Sequence, residues 1–148
     1  MKKIFILLLT FVLILSGCSA NSKDIDAEKL ADDLRNKVAF QDELTLTDEN
    51  VAEKLYNIDD FAEAYLYIGS GATAEEIAVF KFDNADKAKA ALDNAKQRIA
   101  DQKEDFASYI PEEVKRLDNS VVKQYGTCLV VCVSEGEQAA KIISEYMK

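Results

Sequence analysis

Histidine and tryptophan are absent from this sequence of 148 residues, and Pro111 is its only proline. Histidine is the most common general base and a frequent metal ligand near neutral pH. Its absence excludes catalysis by serine–histidine or cysteine–histidine pairs, and we expect neither a cofactor nor a bound metal ion. The enzyme alternative for this sequence is one that works through carboxylates.

Basic side chains are also scarce, with 18 Lys and Arg against 27 Asp and Glu, for a formal net charge of −9. Lys2 and Lys3 lie in residues 1–17, which contain no acid, so the rest of the chain carries 16 basic and 27 acidic side chains, a charge of −11. Nucleic acids are bound through basic patches, so we expect no nucleic-acid partner. An anionic lipid surface would also repel this domain.

Long apolar runs are rare too, and the one at the start of the chain predicts a secretory signal peptide. Lys2 and Lys3 precede an apolar run from Ile4 to Leu15, which only Thr10 interrupts. As a helix this run would cover about 18 Å, which is short of the roughly 30 Å of bilayer hydrocarbon. A basic start, a short apolar core and small residues after it are typical of a cleaved signal.

The sequence Leu15-Ser16-Gly17-Cys18 at the end of this run resembles a bacterial lipobox. The resemblance implies that Cys18 receives a diacylglycerol and that the signal peptidase cuts between Gly17 and Cys18. Two acyl chains would hold the protein stably at the membrane, where one chain is marginal. We therefore expect a protein anchored by lipid to the extracytoplasmic side of the cell membrane. The alternative is an ordinary secreted protein with an incidental cysteine.

These features divide the chain into three parts. Residues 1–17 are the predicted signal peptide, and residues 18–23 are the lipidated cysteine with a short polar tether. Residues 24–148 are predicted to form a single α+β extracytoplasmic domain, which their length suits.

Hydrophobic periodicity and turn residues predict an α+β fold for this domain. The predicted elements are helices at 24–39 and 47–56, strands at 61–69 and 76–82, a long helix at 85–106, a short helix at 111–117, strands at 121–124 and 127–133, and a final helix that begins at a capping box, Ser134 with Glu137. Strands joined by short turns pair antiparallel. We expect a four-stranded antiparallel sheet with the long and final helices on one face and the opening helices partly covering the other.

Cys128 and Cys132 lie in the second strand pair and are predicted to be free, buried thiols. Residues four apart on a strand share a face but are about 13 Å apart. A disulfide needs Cα atoms within roughly 7 Å. The alternative is a metal pair or a redox motif.

Aromatic residues on the first strand are the candidate binding face. Strand alternation places Phe61, Tyr65 and Tyr67 on one side, opposite Ala62, Ala64, Leu66 and Ile68. An outward-facing aromatic set would suit a partner protein. If the opening helices cover it, the same set is part of the core.

Other candidate sites are weaker. The acidic pairs lack the spacing of a calcium loop, which indicates a solvated acidic surface; they are Asp42-Glu43, Asp48-Glu49, Asp59-Asp60 and Glu104-Asp105. The loop Gly69–Ala74 could bring backbone close to a ligand, but it has no lysine and does not match a phosphate-binding loop. We interpret it as a hairpin connection.

The lipobox, the run Gly71–Phe80 and the segment Pro111–Val114 together resemble an uncharacterised family of small lipoproteins. These proteins come mostly from clostridia-like Gram-positive bacteria and are catalogued as domain of unknown function 4358. The resemblance covers nearly the whole chain after the signal. It implies an extracytoplasmic lipoprotein but brings no catalytic or binding residues with it.

Two functional hypotheses follow. The first is a non-enzymatic module, attached to the membrane through the lipid on Cys18, that binds an unknown protein or small-molecule partner at the outer face of the cytoplasmic membrane. The alternative is a carboxylate-based enzyme, or an enzyme accessory, that acts on cell-wall or exported substrates.

Overall fold

A computed structural model describes residues 23–148, so the predicted signal peptide, Gly17 and Cys18 lie outside the described residues. The elements are α1 Ala27–Lys37, β1 Thr45–Leu46, α2 Glu49–Tyr56, β2 Glu63–Ile68, β3 Glu76–Lys81, α3 Ala85–Tyr109, α4 Glu112–Asp118, β4 Val121–Tyr125, β5 Cys128–Val133 and α5 Gln138–Tyr146. None of the helices in residues 23–148 is both long and apolar enough to cross a membrane.

The strands form one antiparallel sheet in the order β1-β2-β3-β5-β4. This confirms the predicted α+β class and antiparallel sheet, with five strands rather than four. The additional strand, β1, has only two residues, too few to show any alternation of apolar and polar side chains. It pairs with the end of β2 and extends the sheet at that edge.

Both faces of the sheet are covered by helices, because successive residues of β3 point to opposite sides and the four residues from Ile77 to Phe80 are all apolar. Ala78 and Phe80 belong to a core shared with α2, α3 and α4. Ile77 and Val79 belong to a second core, shared with α1 and α5. The domain is therefore a three-layer structure.

The prediction that the long and final helices share a face is wrong, since α3 and α5 pack on opposite faces of the sheet. The second opening helix was also misplaced, because α2 joins α3 while only α1 lies on the α5 side. An apolar stripe shows that a helix packs on something. The side of the sheet that it reaches is set by the direction of the connecting turn.

Helix starts show where local patterns succeed and fail. Asp26 and Asn84 cap α1 and α3, accepting backbone N–H groups at 2.9 Å and 3.0 Å. The capping box predicted at Ser134 is wrong, because Gly136 has a φ of 74° and delays the start of α5 to Gln138. Ser134 instead stays buried at the end of β5.

The two cysteines of β5 are free and buried, as predicted. Both thiols face the core beneath α1 and α5. Burial raises the pKa of Cys128 and of Cys132 to about 12, so both remain protonated at neutral pH. A protonated, inaccessible thiol is a poor nucleophile, which fits a packing role.

Candidate functional site

A cleft of about 560 Å³ opens at one end of the sheet and is the candidate site. Antiparallel pairing places Glu76, at the start of β3, beside Ile68 of β2 and Val133 of β5. The loop between β2 and β3 and the turn after β5 therefore meet at this end, together with α4 and Gln41. We call this the cleft end of the sheet.

Arg116 of α4 is the central charge of the cleft. The residue is only 7 % exposed. Its Nη1 donates to Glu113, its Nη2 donates to Glu135 at 2.9 Å, and its Nε lies 3.9 Å from Glu75. Burial disfavours the charged form, but the bonds to Glu135 and Glu113 outweigh it and raise the pKa of Arg116 above its ordinary value.

The carboxylates around Arg116 also hold the loops of the cleft together. Glu75 accepts the backbone N–H of Gln41 at 2.9 Å and that of Asp42 at 2.8 Å, which fastens the segment after α1 to β3. Glu113 accepts the N–H of Ala74 at 2.7 Å, which fastens the β2–β3 loop to α4. One buried charge cluster thus sets the shape of the cleft.

Asp42 holds the β2–β3 loop from its outer side. Its carboxylate accepts both the backbone N–H and the hydroxyl of Ser70 at 2.7 Å, and these bonds lower the pKa of Asp42. A Cβ atom at Gly69 would lie too close to Asp42 Oδ2, so a side chain there would force the Asp42 carboxylate to shift. The loop Gly69–Ala74 is a hairpin connection, as interpreted from the sequence.

A small cavity of about 220 Å³ lies between the β2–β3 loop and α3. The neighbouring Glu76, 2 % exposed, accepts from Arg98 Nη2 at 2.7 Å and from the hydroxyl of Tyr56. The Arg98 guanidinium also lies 5.7 Å from the centre of the Tyr56 ring. Burial and the adjacent Glu76 carboxylate raise the pKa of Tyr56 well above its ordinary value.

The structure separates the aromatic residues that the sequence placed on one face. Phe61 lies before the first residue of β2 and packs against Phe80, with ring centres 5.6 Å apart, on the α3 side. Tyr65 and Tyr67 lie on the α1 side. The grouping was wrong because strand alternation does not apply to Phe61, which precedes the strand.

α1 covers Tyr67, which is only 7 % exposed. Its hydroxyl donates to Asp32 at 3.0 Å, and the Arg35 guanidinium lies 5.6 Å from its ring centre. Tyr65 is half-buried and donates to Glu63 at 3.1 Å. These tyrosines form the margin of a covered core, and no groove is left at Tyr67.

Sequence reasoning missed the charge cluster of Arg116, Glu113 and Glu75. The available signal was Glu75-Glu76 placed directly before the apolar run Ile77–Phe80, because acids that begin a buried strand must find partners. Within residues 23–148, no group of three or more Cys, Asp or Glu side chains is arranged to hold a metal ion. The acidic pairs listed from the sequence do not form such a group.

Comparison with known proteins identifies the chain at the level of a family. The family model described as Domain of unknown function (DUF4358) matches residues 36–134, a span that runs from the end of α1 to Ser134. It includes Gln41, Glu75, Glu113 and Arg116, and so most of the cleft. Neither a curated protein nor a solved structure was found to match. The chain belongs to the family of the domain of unknown function DUF4358.

Proposed function

We propose that this protein is a lipid-anchored, extracytoplasmic recognition module, not an enzyme, and that the cleft binds a positively charged segment of a partner. The observation that carries this proposal is the cleft itself, in which one buried arginine is surrounded by three glutamates. Such a cleft is of the size of small-ligand and peptide sites.

The charges at the cleft favour a cationic partner. The cleft is lined by three acids, Glu112, Glu113 and Glu135, and by two bases, Lys115 and Arg116. A fourth acid, Glu75, lies next to Arg116. Negative charge is in excess there, and the whole chain has a formal charge of −9. Complementary charge speeds association and selects among partners.

The bonding of the carboxylates supports binding over catalysis. A general base needs an acceptor position open to its substrate. Glu75 already accepts two backbone N–H groups and the hydroxyl of Thr73, and Glu113 accepts one N–H and Arg116. The carboxylate oxygens of Glu75 and Glu113 are therefore already used in bonds that hold the loops of the cleft together.

The path of the chain would direct the cleft away from the membrane. Lys81 at the end of β3 donates to the backbone of Ile25 at 2.7 Å, so residues 23–25 join the sheet at the end opposite the cleft. β3 separates these ends by about 17 Å. Residues 18–23 reach about 20 Å at most. An anchor on Cys18 would present the cleft to partners in the cell-wall space.

The binding proposal is tested with tetralysine and tetraglutamate peptides, followed by backbone amide shifts of the isotope-labelled domain. We expect tetralysine, but not tetraglutamate, to move the amides of Glu135 and Gly136. Glu112→Lys, at the exposed rim, should weaken tetralysine several-fold, whereas Glu145→Lys on α5 should not, although it changes the net charge equally. If both variants weakened tetralysine binding equally, net charge alone would explain the effect, and the proposal that the cleft binds the peptide would be refuted.

The anchor is tested separately with Cys18→Ser in the full chain. The lipid proposal predicts release from the membrane fraction or an unprocessed precursor. A Cys18→Ser protein that is still cleaved after Gly17 and still carries lipid would show the assignment to be wrong.

A further inference from the structure

The small cavity beside α3 contains a buried hydrogen-bond acceptor that lacks a partner. Gln102 is 8 % exposed and lines this cavity. Its Nε2 lies 3.5 Å from Glu76, but its Oε1 has no hydrogen-bond donor among the described residues. A buried oxygen without a donor destabilises the fold, so a native protein that keeps one invites an explanation.

The orientation of this amide follows from its surroundings. Glu76 is an acceptor only, so the Gln102 side chain must turn its Nε2 towards that carboxylate. Rotating the amide would place Oε1 against the Glu76 carboxylate and would leave two acceptors facing each other. The missing partner of Oε1 is therefore a donor.

Four further residues of the same helix line the cavity, and three of them share one stripe with Gln102. Arg98, Gln102, Asp105 and Tyr109 are separated by four, three and four residues, which aligns them along one stripe of α3. Glu76 already neutralises Arg98, with a separation of 2.7 Å. Asp105 contributes a carboxylate to the lining.

Tyr109 provides an exposed aromatic ring at the end of this stripe. It is 58 % exposed and stacks on Phe106, with ring centres 5.0 Å apart, which holds the ring in place. An aromatic ring beside a carboxylate is a favourable setting for a cation, because the ring face is negative. The β2–β3 loop with Gly69 and Gly71 closes the opposite side.

We propose that the small cavity binds a primary alkylammonium group, with Gln102 Oε1 accepting one of its N–H bonds, Asp105 supplying the opposite charge and Tyr109 covering the alkyl chain. The volume of about 220 Å³ is several times the roughly 30 Å³ share of one water molecule, so a lysine-sized group fits. Thr73 lines both this cavity and the cleft, whereas Gln102 lines only the small cavity, and the site does not depend on the lipid anchor.

The test uses the lipid-free domain, residues 24–148 as a single folded unit, and follows the side-chain amide resonance of Gln102. The probes are n-butylamine, as a free amine, and N-acetyl-lysine methylamide, as a lysine of a polypeptide. N-acetyl-glutamate methylamide is the control of opposite charge. We expect the lysine probe to shift the Gln102 resonance at millimolar concentration and the glutamate probe to leave it unchanged.

Two variants decide whether the proposed contacts carry the binding. Gln102→Leu removes the unsatisfied buried oxygen, which is the proposed acceptor, so the variant should fold. Measured from the resonances of Tyr109, its affinity for the lysine probe should be at least fivefold lower. Gln97→Leu, an exposed glutamine on the same helix, should have no effect. Unchanged affinity in Gln102→Leu, or no shift of Gln102 in the parent domain, overturns the proposal.

Two further comparisons identify the source of the amine and distinguish binding in the small cavity from binding in the cleft. Stronger binding of the lysine probe than of n-butylamine assigns the site to a polypeptide, and the reverse assigns it to free amines. Glu112→Lys should leave Gln102 shifts intact. If it abolished them, the shifts would report the cleft and the small cavity would not be a site.

Discussion

Glu75 and Glu76 are neighbours in the chain and are buried to 3 % and 2 % exposure, yet they belong to two different charge networks. Glu76 joins Arg98 and Tyr56, which come from the helices that cover one face. Glu75 joins loop backbone and Arg116 at the cleft. Burial is the same, so it does not distinguish the two networks. What differs is that the first network connects a strand to two helices, whereas the second connects loops to α4 around the cleft.

This comparison leads us to assign stability mainly to the Glu76 network and recognition mainly to the Arg116 network. Buried ion pairs often contribute little net stability but are costly to break, since the remaining charge loses its partner. Replacing one residue of each network should therefore have different consequences. The variants should differ in how much stability they lose and in whether binding at the cleft changes.

The largest effect is expected for Glu76→Ala. It leaves the largely buried Arg98 guanidinium and the fully buried Tyr56 hydroxyl without their carboxylate partner. We expect a loss of about 3 kcal/mol in the free energy of unfolding, measured by urea denaturation. Glu53→Ala, an exposed acid on α2, is the control and should stay within about 0.5 kcal/mol of the parent. A loss below 1 kcal/mol in Glu76→Ala would break the assignment.

Arg116→Ala should cost less stability than Glu76→Ala but should change binding at the cleft. Glu75 and Glu113 keep their backbone N–H donors, and the Glu135 side chain is 66 % exposed, so the orphaned acids stay partly satisfied. We expect a loss of about 2 kcal/mol on urea denaturation and altered shifts of the cleft amides with tetralysine. Lys89→Ala, an exposed residue of α3 that does not line the cleft, is the control. A larger loss than in Glu76→Ala would reverse the comparison.

Alkaline pH should weaken the Glu76 network selectively. The pKa of Tyr56 is raised in the folded state, mainly by burial and then by Glu76. Its stabilising contribution is therefore complete below the ordinary tyrosine pKa of about 10 and falls above it, where the unfolded chain ionises first. The advantage of the parent over Tyr56→Phe should shrink by about 1 kcal/mol per pH unit above 10. A pH-independent difference in urea midpoints would contradict this.

The smallest effect is local and concerns the cleft loop. Hydrogen bonds from Ser70 lower the pKa of Asp42, so this contribution is present above the ordinary aspartate pKa and is lost as the pH falls below it. Hydrogen exchange at the Ser70 amide, corrected for intrinsic rates, should accelerate at acidic pH in the parent. Asp42→Asn should show weaker protection with little dependence on pH. Loss of protection throughout β3 at the same pH would mean that the loop does not open separately.

Much of the fold was predictable from local patterns. Apolar stripes located the helices, and branched residues located the longer strands, because these signals come from residues within one element. The family resemblance, which relied on Gly71–Phe80 and Pro111–Val114, was confirmed by the match over residues 36–134. The anchor at Cys18 and the binding role stay predictions.

The candidate site was not predictable in the same way. Arg116, Glu75 and Gln41 are distant in sequence and meet only through strand pairing and the packing of α4. The orphaned Gln102 oxygen likewise depends on the position of Glu76 on another element. Local periodicity assigned Gln102 to a helix but carries no information about what that helix face meets.

By itself, the sequence determined the order of the main elements and the two free thiols of β5, because each depends on spacing within a short segment. It also determined membership of the family, through the match over residues 36–134. Only the tertiary structure decided that α3 and α5 pack on opposite faces of the sheet, and that Phe61 lies on the opposite face from Tyr65 and Tyr67. It also decided that Glu75 and Glu76 belong to different charge networks. The physical reason is that a strand with two apolar faces must be covered twice, and the connecting turns select which helix covers each face.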